Sequence, residues 1–229
     1  MPHRHSIQGA AKQRGFTLVE VAIVLVIMGF LLGGLLGPLS IQMEESRRKA
    51  TLGNIDQAHE ALIGFALSTG RLPCPDTDND GIEDPAGGAG GCNAVRGELP
   101  NVTLGLADGD AWGQSMLYLV TGEFADATDG TSLGCGPATP GVSFELCAVG
   151  DITILDQAAG GNIVASNIPA AIISQGKNWA GPASTDETEN TDNDRTLVSM
   201  GYTATFDDLV RWTSPSILRA RMASAGILP

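Results

Sequence analysis

Arg14-Gly15-Phe16-Thr17-Leu18-Val19-Glu20, followed by the run from Val21 to Leu39, decides how this chain is built. The run holds nineteen residues without a formal charge. As a helix rising ~1.5 Å per residue it spans roughly 28 Å, enough to cross the hydrocarbon core of a bilayer. Arg4, Lys12 and Arg14 precede it and no acid does until Glu20. By the positive-inside tendency the leader stays in the cytoplasm and everything after Leu39 lies outside; the basic cluster Arg47-Arg48-Lys49, on the outer side, runs against that tendency. Glu20 is a lone carboxylate at the edge of the apolar span, and a charged group at the bilayer centre costs ~2.5–3.5 kcal/mol on insertion scales. Such a residue asks for a cationic partner.

A secretory signal peptide places its apolar region before a small-residue cleavage site, so that cleavage discards the hydrophobic part. Here a polar leader, MPHRHSIQGAAKQRG, comes first, the apolar run follows Gly15 directly, and no A-x-A-like site ends it. The run from Arg14 to Glu20 resembles the cleavage and methylation signal of type IV prepilins and type II secretion pseudopilins. The resemblance covers some twenty-five residues and rests on glycine, phenylalanine, glutamate and an apolar helix in that order. It implies that a prepilin peptidase cuts after Gly15 and methylates the new N-terminus at Phe16, and that Glu20 becomes the glutamate at mature position five. After cleavage the nearest cation is the N-terminal amine. A neighbouring subunit shifted by about one helical turn would bring that amine to Glu20, neutralising both charges and setting the register of packed helices. The implied partners are the peptidase, other pilin or pseudopilin subunits and an inner-membrane assembly platform. The implied location is the inner membrane, single-pass, with the head outside the cytoplasm, and then a pilus or periplasmic pseudopilus.

Gly29, Gly33 and Gly37 repeat at a spacing that lets membrane helices approach closely, and Pro38 removes one helix hydrogen bond and is expected to kink the rod. Beyond it Leu52, Ile55, Leu62, Phe65 and Ala66 hold one helical face until Gly70 and Pro73 stop the helix. A helix from Phe16 to about Ser68 would be roughly 80 Å long, which suits a filament stalk. From Leu72 the composition turns to Gly, Pro, Asp and short β-rich runs. Strands are expected at Ser115–Val120, Val142–Val149, Ile152–Leu155, within Ile163–Ile173 and at Thr196–Thr205, forming an antiparallel meander. Ser214, Pro215 and Gly226 bracket a C-terminal helix. The expected fold is α+β: a long N-terminal transmembrane and stalk helix packed on a C-terminal antiparallel β-sheet head, as in pilins. Its parts are a leader at 1–15, a transmembrane and polymerisation helix at 16–39, an amphipathic stalk helix at 40–69 and an extracytoplasmic head at 70–229. Two head segments add weaker resemblances, Asp110-Ala111-Trp112-Gly113 to the aspartate-tryptophan-glycine turn of pseudopilins and Ser174-Gln175-Gly176-Lys177-Asn178 to a glycine-lysine-asparagine segment of larger prepilin-like proteins.

Asp76-Thr77-Asp78-Asn79-Asp80-Gly81-Ile82-Glu83-Asp84 sets acids at relative positions 1, 3, 5 and 9 with glycine at 6. Calcium loops use this pattern because alternating carboxylates converge on one point, glycine permits the sharp turn, and a carbonyl, here that of Ile82, serves at position 7. The expected ligands are Asp76, Asp78, Asp80, Ile82 and Asp84, with Ca2+ as the ion. Gly87 stands where an EF-hand has its bidentate glutamate, so an EF-hand helix pair is not expected. The acidic run Asp186–Asp194, with Arg195 where glycine is wanted, reads as a solvated loop. Four cysteines, Cys74, Cys92, Cys135 and Cys147, all follow the apolar span and include no C-x-x-C pair. That favours disulfides in an oxidising compartment; of three connectivities, sequential pairing is the expectation, and a Cys74–Cys92 bridge would close the acidic loop.

Composition narrows the function. Lys and Arg total 13 against 26 Asp and Glu, a net charge of -13; without the first fifteen residues the balance is 10 to 26, or -16. Such a surface repels phosphate backbones, so no nucleic-acid partner is expected. Beyond the leader His59 is the one histidine, and no G-x-S-x-G, H-E-x-x-H or Walker pattern occurs. A filament subunit of minor or specialised kind is the expectation, and not an enzyme. The alternatives are a single-pass membrane-anchored adhesin or other ligand-binding protein and, further off, a membrane-anchored enzyme.

Overall fold

The computed structural model describes residues 15–86, 91–126, 142–144, 146 and 148–228, and of residues 34–38 the backbone alone. The chain forms two compact units, Met1–Ser46 and Arg47–Pro229. One helix, α1 (Leu18–Thr69), contributes to both. In the first unit its apolar side chains are open on every side: Leu18, Val21, Ile23, Leu25, Ile27, Phe30 and Leu32 are all exposed. A helix apolar all round needs cover from lipid or from other helices. Among the described residues no helix is long and apolar enough to cross a membrane.

The second unit is built in three layers. The C-terminal part of α1 buries Thr51, Ile55, Ala58, Leu62 and Ala66, spaced three and four apart along one face. Leu52, expected on that face, is exposed instead; Thr51 occupies the buried position, where its hydroxyl is used as an acceptor. Gly70 ends the helix at φ +79°, with its N–H on the Ala66 carbonyl, a left-handed residue that satisfies the last turn.

Beneath α1 lies a four-stranded antiparallel sheet in the order β1 (Arg96–Glu98), β2 (Leu117–Val120), β5 (Ala170–Ser174), β7 (Leu209–Thr213). Beyond it is a second sheet in the order β4 (Ile163–Ile168), β3 (Ile152–Leu155), β6 (Thr196–Val198). Alternation along the central strands assigns each side chain to a layer. Tyr118, Val120, Ala170 and Ile172 pack with α1 and with Leu218 and Met222 of the C-terminal helix α5 (Pro215–Ser224). Leu119, Ala171 and Ile173 face Ile152, Ile154, Ile168 and Leu197 of the second sheet. β5 is therefore buried on both faces, the reason its sequence is a continuous apolar run and not an alternating one. Short helices α2 (Asn101–Leu104), α3 (Gly122–Ala125) and α4 (Thr185–Thr191) fill the connections.

The α+β architecture, with the long helix on antiparallel sheets, is as expected, and several local expectations are corrected. The described residues between 142 and 149 form no strand. The Ile163–Ile173 run divides at Pro169 into β4 and β5, which belong to different sheets. The strand at Thr196 ends at Val198, and β7 was not anticipated because its alternation is short and carries Arg211. The sheets do not form one antiparallel meander, since β3 and β6 pair in parallel. Asp186–Asp194 is not a plain loop: Ser184 caps α4, its hydroxyl accepting from the Glu187 N–H.

Candidate functional site

Gly15 and Phe16 precede the first helical residue, and Phe16 is 85% exposed. A Cβ built on Gly15 meets nothing within 4 Å, so packing within the chain does not demand glycine there. Thr17 and Glu20 form a reciprocal capping box. The Glu20 carboxylate accepts from the Thr17 N–H (2.9 Å) and hydroxyl (3.0 Å), and the Thr17 hydroxyl accepts from the Glu20 N–H (3.2 Å). The T-x-x-E spacing is the sequence signature of such a helix start, which gives Glu20 a capping role beside the assembly role that the resemblance implies.

The acidic loop is folded around Asp76, which is buried. Its Oδ1 accepts from the N–H groups of Asp78 and Asn79 and its Oδ2 from that of Gly81. Gly81 turns at φ +80°, and a Cβ there would stand 2.5 Å from the Asn101 and Val102 side chains, so glycine is required both by conformation and by the close approach of α2. The carboxylates of Asp76, Asp78 and Asp84 each offer an oxygen within 4.8 Å of the others. Asp80 is not one of the three; its Oδ1 accepts from the Ile82 N–H. The negative charge of Asp80 holds the Asp78 carboxyl above its ordinary pKa, while the Thr77 hydroxyl and N–H hold Asp84 below. Glu83 turns away to a bidentate pair with Arg71 at 2.7 Å and also accepts from the Cys74 N–H.

Cys74 and Cys92 are joined, with Cα atoms 5.3 Å apart, across a separation of 18 residues that encloses the acidic loop. Cys135 and Cys147 lie outside the described residues. The acidic group fits a hard cation in its donor chemistry, three carboxylates that each offer an oxygen within 4.8 Å of the others. Calcium takes six to eight oxygens, so three carboxylates make part of a shell.

The two weaker head motifs meet, although 64 residues separate them. Asp110 accepts from the N–H groups of Trp112 and Gln114 through Oδ1 and from the Ser174 hydroxyl through Oδ2 at 2.6 Å. The same turn is tied to α1, where the Thr51 hydroxyl accepts from the Ala111 N–H and Asn54 donates to the Gly109 carbonyl. The junction joins helix, turn and central strand. Asp110→Ala is expected to lower stability by about 2 kcal/mol, because two backbone donors and a buried hydroxyl lose one acceptor. Urea unfolding of the full chain in detergent, followed by tryptophan fluorescence, measures it.

Residues 10–36 match the prokaryotic N-terminal methylation motif. No curated protein and no solved structure matches the chain. The matched segment identifies a type IV pilin- or pseudopilin-like protein. The motif implies processing by prepilin peptidase, anchoring in the inner membrane and assembly partners of the pilus kind.

Proposed function

We propose that this protein is a structural subunit, of minor or specialised kind, in a type IV pilus or type II secretion pseudopilus, built into the filament through its N-terminal helix. The observation that carries the reading is the match over residues 10–36, which takes in the N-terminal part of α1, where the apolar side chains are exposed. In this reading residues 16–39 are the membrane and polymerisation helix, 40–69 the stalk and 70–229 the extracytoplasmic head. Gly15 is the last leader residue, and its open surroundings favour a requirement set by the peptidase and not by packing. Phe16 becomes the methylated N-terminus, and Glu20 pairs with the amine of a neighbouring subunit. N-terminal mass spectrometry of the protein from membranes tests the reading. A methylated Phe16 is the expected first residue; an intact Met1, or a cut after the apolar segment, refutes it.

The acidic loop is proposed as a calcium site that stiffens the head, with Asp76, Asp78 and Asp84 as its carboxylate ligands and Asp80 and the Ile82 carbonyl within the same loop. Calorimetric titration of the full chain in detergent with calcium is expected to give a saturable signal that Asp78→Ala removes. A flat titration of the unaltered chain ends the calcium proposal and leaves a hydrogen-bonded acidic turn.

A further inference from the structure

A second group of acids lies far along the chain from the first. Glu187 of α4 and Asp207 and Asp208 of the turn before β7 each offer a carboxylate oxygen within 4.8 Å of the others. Glu187 is 1% exposed and Asp208 5% exposed. Carboxylates this close and this dry do not all ionise independently.

The hydrogen bonds sort them. Glu187 accepts three, from Asn178 Nδ2 (2.8 Å), the Ala183 N–H (2.5 Å) and the Asp207 N–H (2.9 Å). Asp207 accepts from the Lys177 N–H at 3.0 Å. Asp208 accepts from Asn190 Nδ2 at 2.8 Å. Glu187 thus has the fullest set of donors, whereas the buried Asp208, with one amide donor, is the member suited to hold a proton.

We propose that these three carboxyls form a proton-operated clasp on the Gly176–Asn178 turn: a proton on Asp208 holds the turn in place, and its loss releases it. The turn is the element that gives, because two of its ties, Lys177 N–H to Asp207 and Asn178 to Glu187, end on the group itself. Gly176 also packs so closely that a Cβ would stand 2.6 Å from Asp207 Oδ1. α4 has anchors elsewhere: Asp186 accepts from the Ala158 N–H, the Asn190 carbonyl accepts from Arg96, and the Asn190 side chain exchanges two hydrogen bonds with the Val198 backbone of β6.

Burial pushes the Asp208 carboxyl up to about 7, with Glu187 and Asp207 adding to the rise and the Asn190 donor opposing it. Arg48 and Asp56 of α1 and Arg211 of β7 line the groove that Asp208 also lines. Arg211 pairs with Asp56 at 3.6 Å and Arg48 lies over the Tyr202 ring, so both guanidinium groups have other partners. β6 (Thr196–Val198) carries no charged residue, and Glu187 of α4 and Asp207 are the charged groups that act on Asp208. The folded value of Asp208 lies above its ordinary one. Its contribution is therefore complete below the ordinary carboxylate range and is lost as pH rises through about 7.

Hydrogen exchange of the full chain in detergent, corrected for the intrinsic pH dependence of amide exchange, tests the clasp. Protection across residues 175–184 is expected to fall on the order of 50-fold between about pH 5 and about pH 7 in the unaltered chain, and to be level in Asp208→Asn. Equal protection at the two pH values, or a drop that persists in Asp208→Asn, overturns the proposal. Should that variant not fold, the carboxyl itself is titrated in the unaltered chain by isotope-edited infrared spectroscopy. A buried aspartate titrating near 7 supports the clasp, and aspartates titrating only in the ordinary range near 4 refute it.

Discussion

Glu20→Ala is expected to leave cleavage after Gly15 intact and to reduce sheared filaments to background. Two physical roles meet in this carboxylate. Within the chain it closes the capping box with Thr17, a contact of about 1 kcal/mol in typical helices. Between chains it is proposed to neutralise the amine of Phe16, and an unpaired carboxylate in the apolar layer costs more than a lost cap. Alanine removes both roles at once, so it demonstrates need without assigning cause. Glu20→Gln separates them, since glutamine also serves at the third position of a capping box while carrying no charge. If charge pairing sets the register, Glu20→Gln is as filament-free as Glu20→Ala. Normal filaments from the glutamine variant would reduce Glu20 to a cap, and normal filaments from the alanine variant would remove it from assembly altogether.

Replacing both cysteines of the Cys74–Cys92 bridge by serine is expected to lower stability by about 3 kcal/mol, the chain-entropy value for a closed loop of this size. The bridge closes the segment that carries the acidic loop. Its fixed points are the Arg71–Glu83 pair, the Asp76 hydrogen bonds, and two bridges in which Asp76 meets Glu98 and Pro85 meets Cys92. Gly97 records how tightly the loop lies on β1, for a Cβ there would stand 2.3 Å from the Asp76 carbonyl oxygen. Loss of the bridge should therefore also weaken any calcium signal, because the carboxylates would have to be gathered from a looser loop. Denaturant unfolding with and without reductant measures the first effect. Identical midpoints for the serine variant and the oxidised parent would show the bridge to be dispensable.

What could be read along the chain was what depends on neighbours three and four residues away. The signal from Gly15 to Glu20, the helix that follows it, its stop at Gly70 and the Ser214-Pro215 start of α5 are local, because helix hydrogen bonds, caps and left-handed glycine turns close within one or two turns of chain. The bridge between the consecutive cysteines Cys74 and Cys92 was legible for a related reason, since a short loop is easier to close than a long one. The acid spacing of Asp76–Asp84 foretold a turn, but not that Glu83 would leave it for Arg71 or that Asp76 would spend its oxygens on backbone N–H groups.

Sheet order lay beyond the sequence. β4 and β5 are nearly adjacent in the chain and belong to different sheets, and the parallel pairing of β3 with β6 joins strands some forty residues apart. Strand pairing depends on which apolar faces meet, and period-two alternation does not name the partner. The same reason hid the polar sites of the head. Asp110 meets Ser174, and Glu187 meets Asp207 and Asp208, only because layers built from distant strands bring them together. The N-terminal sequence by itself thus identified the pilin- or pseudopilin-like class, because its signal is one short contiguous run whose pattern does not depend on the fold of the head. The head's junctions and its carboxyl clasp were decided by tertiary structure, which alone sets the burial and the distances on which their hydrogen bonds and protons depend.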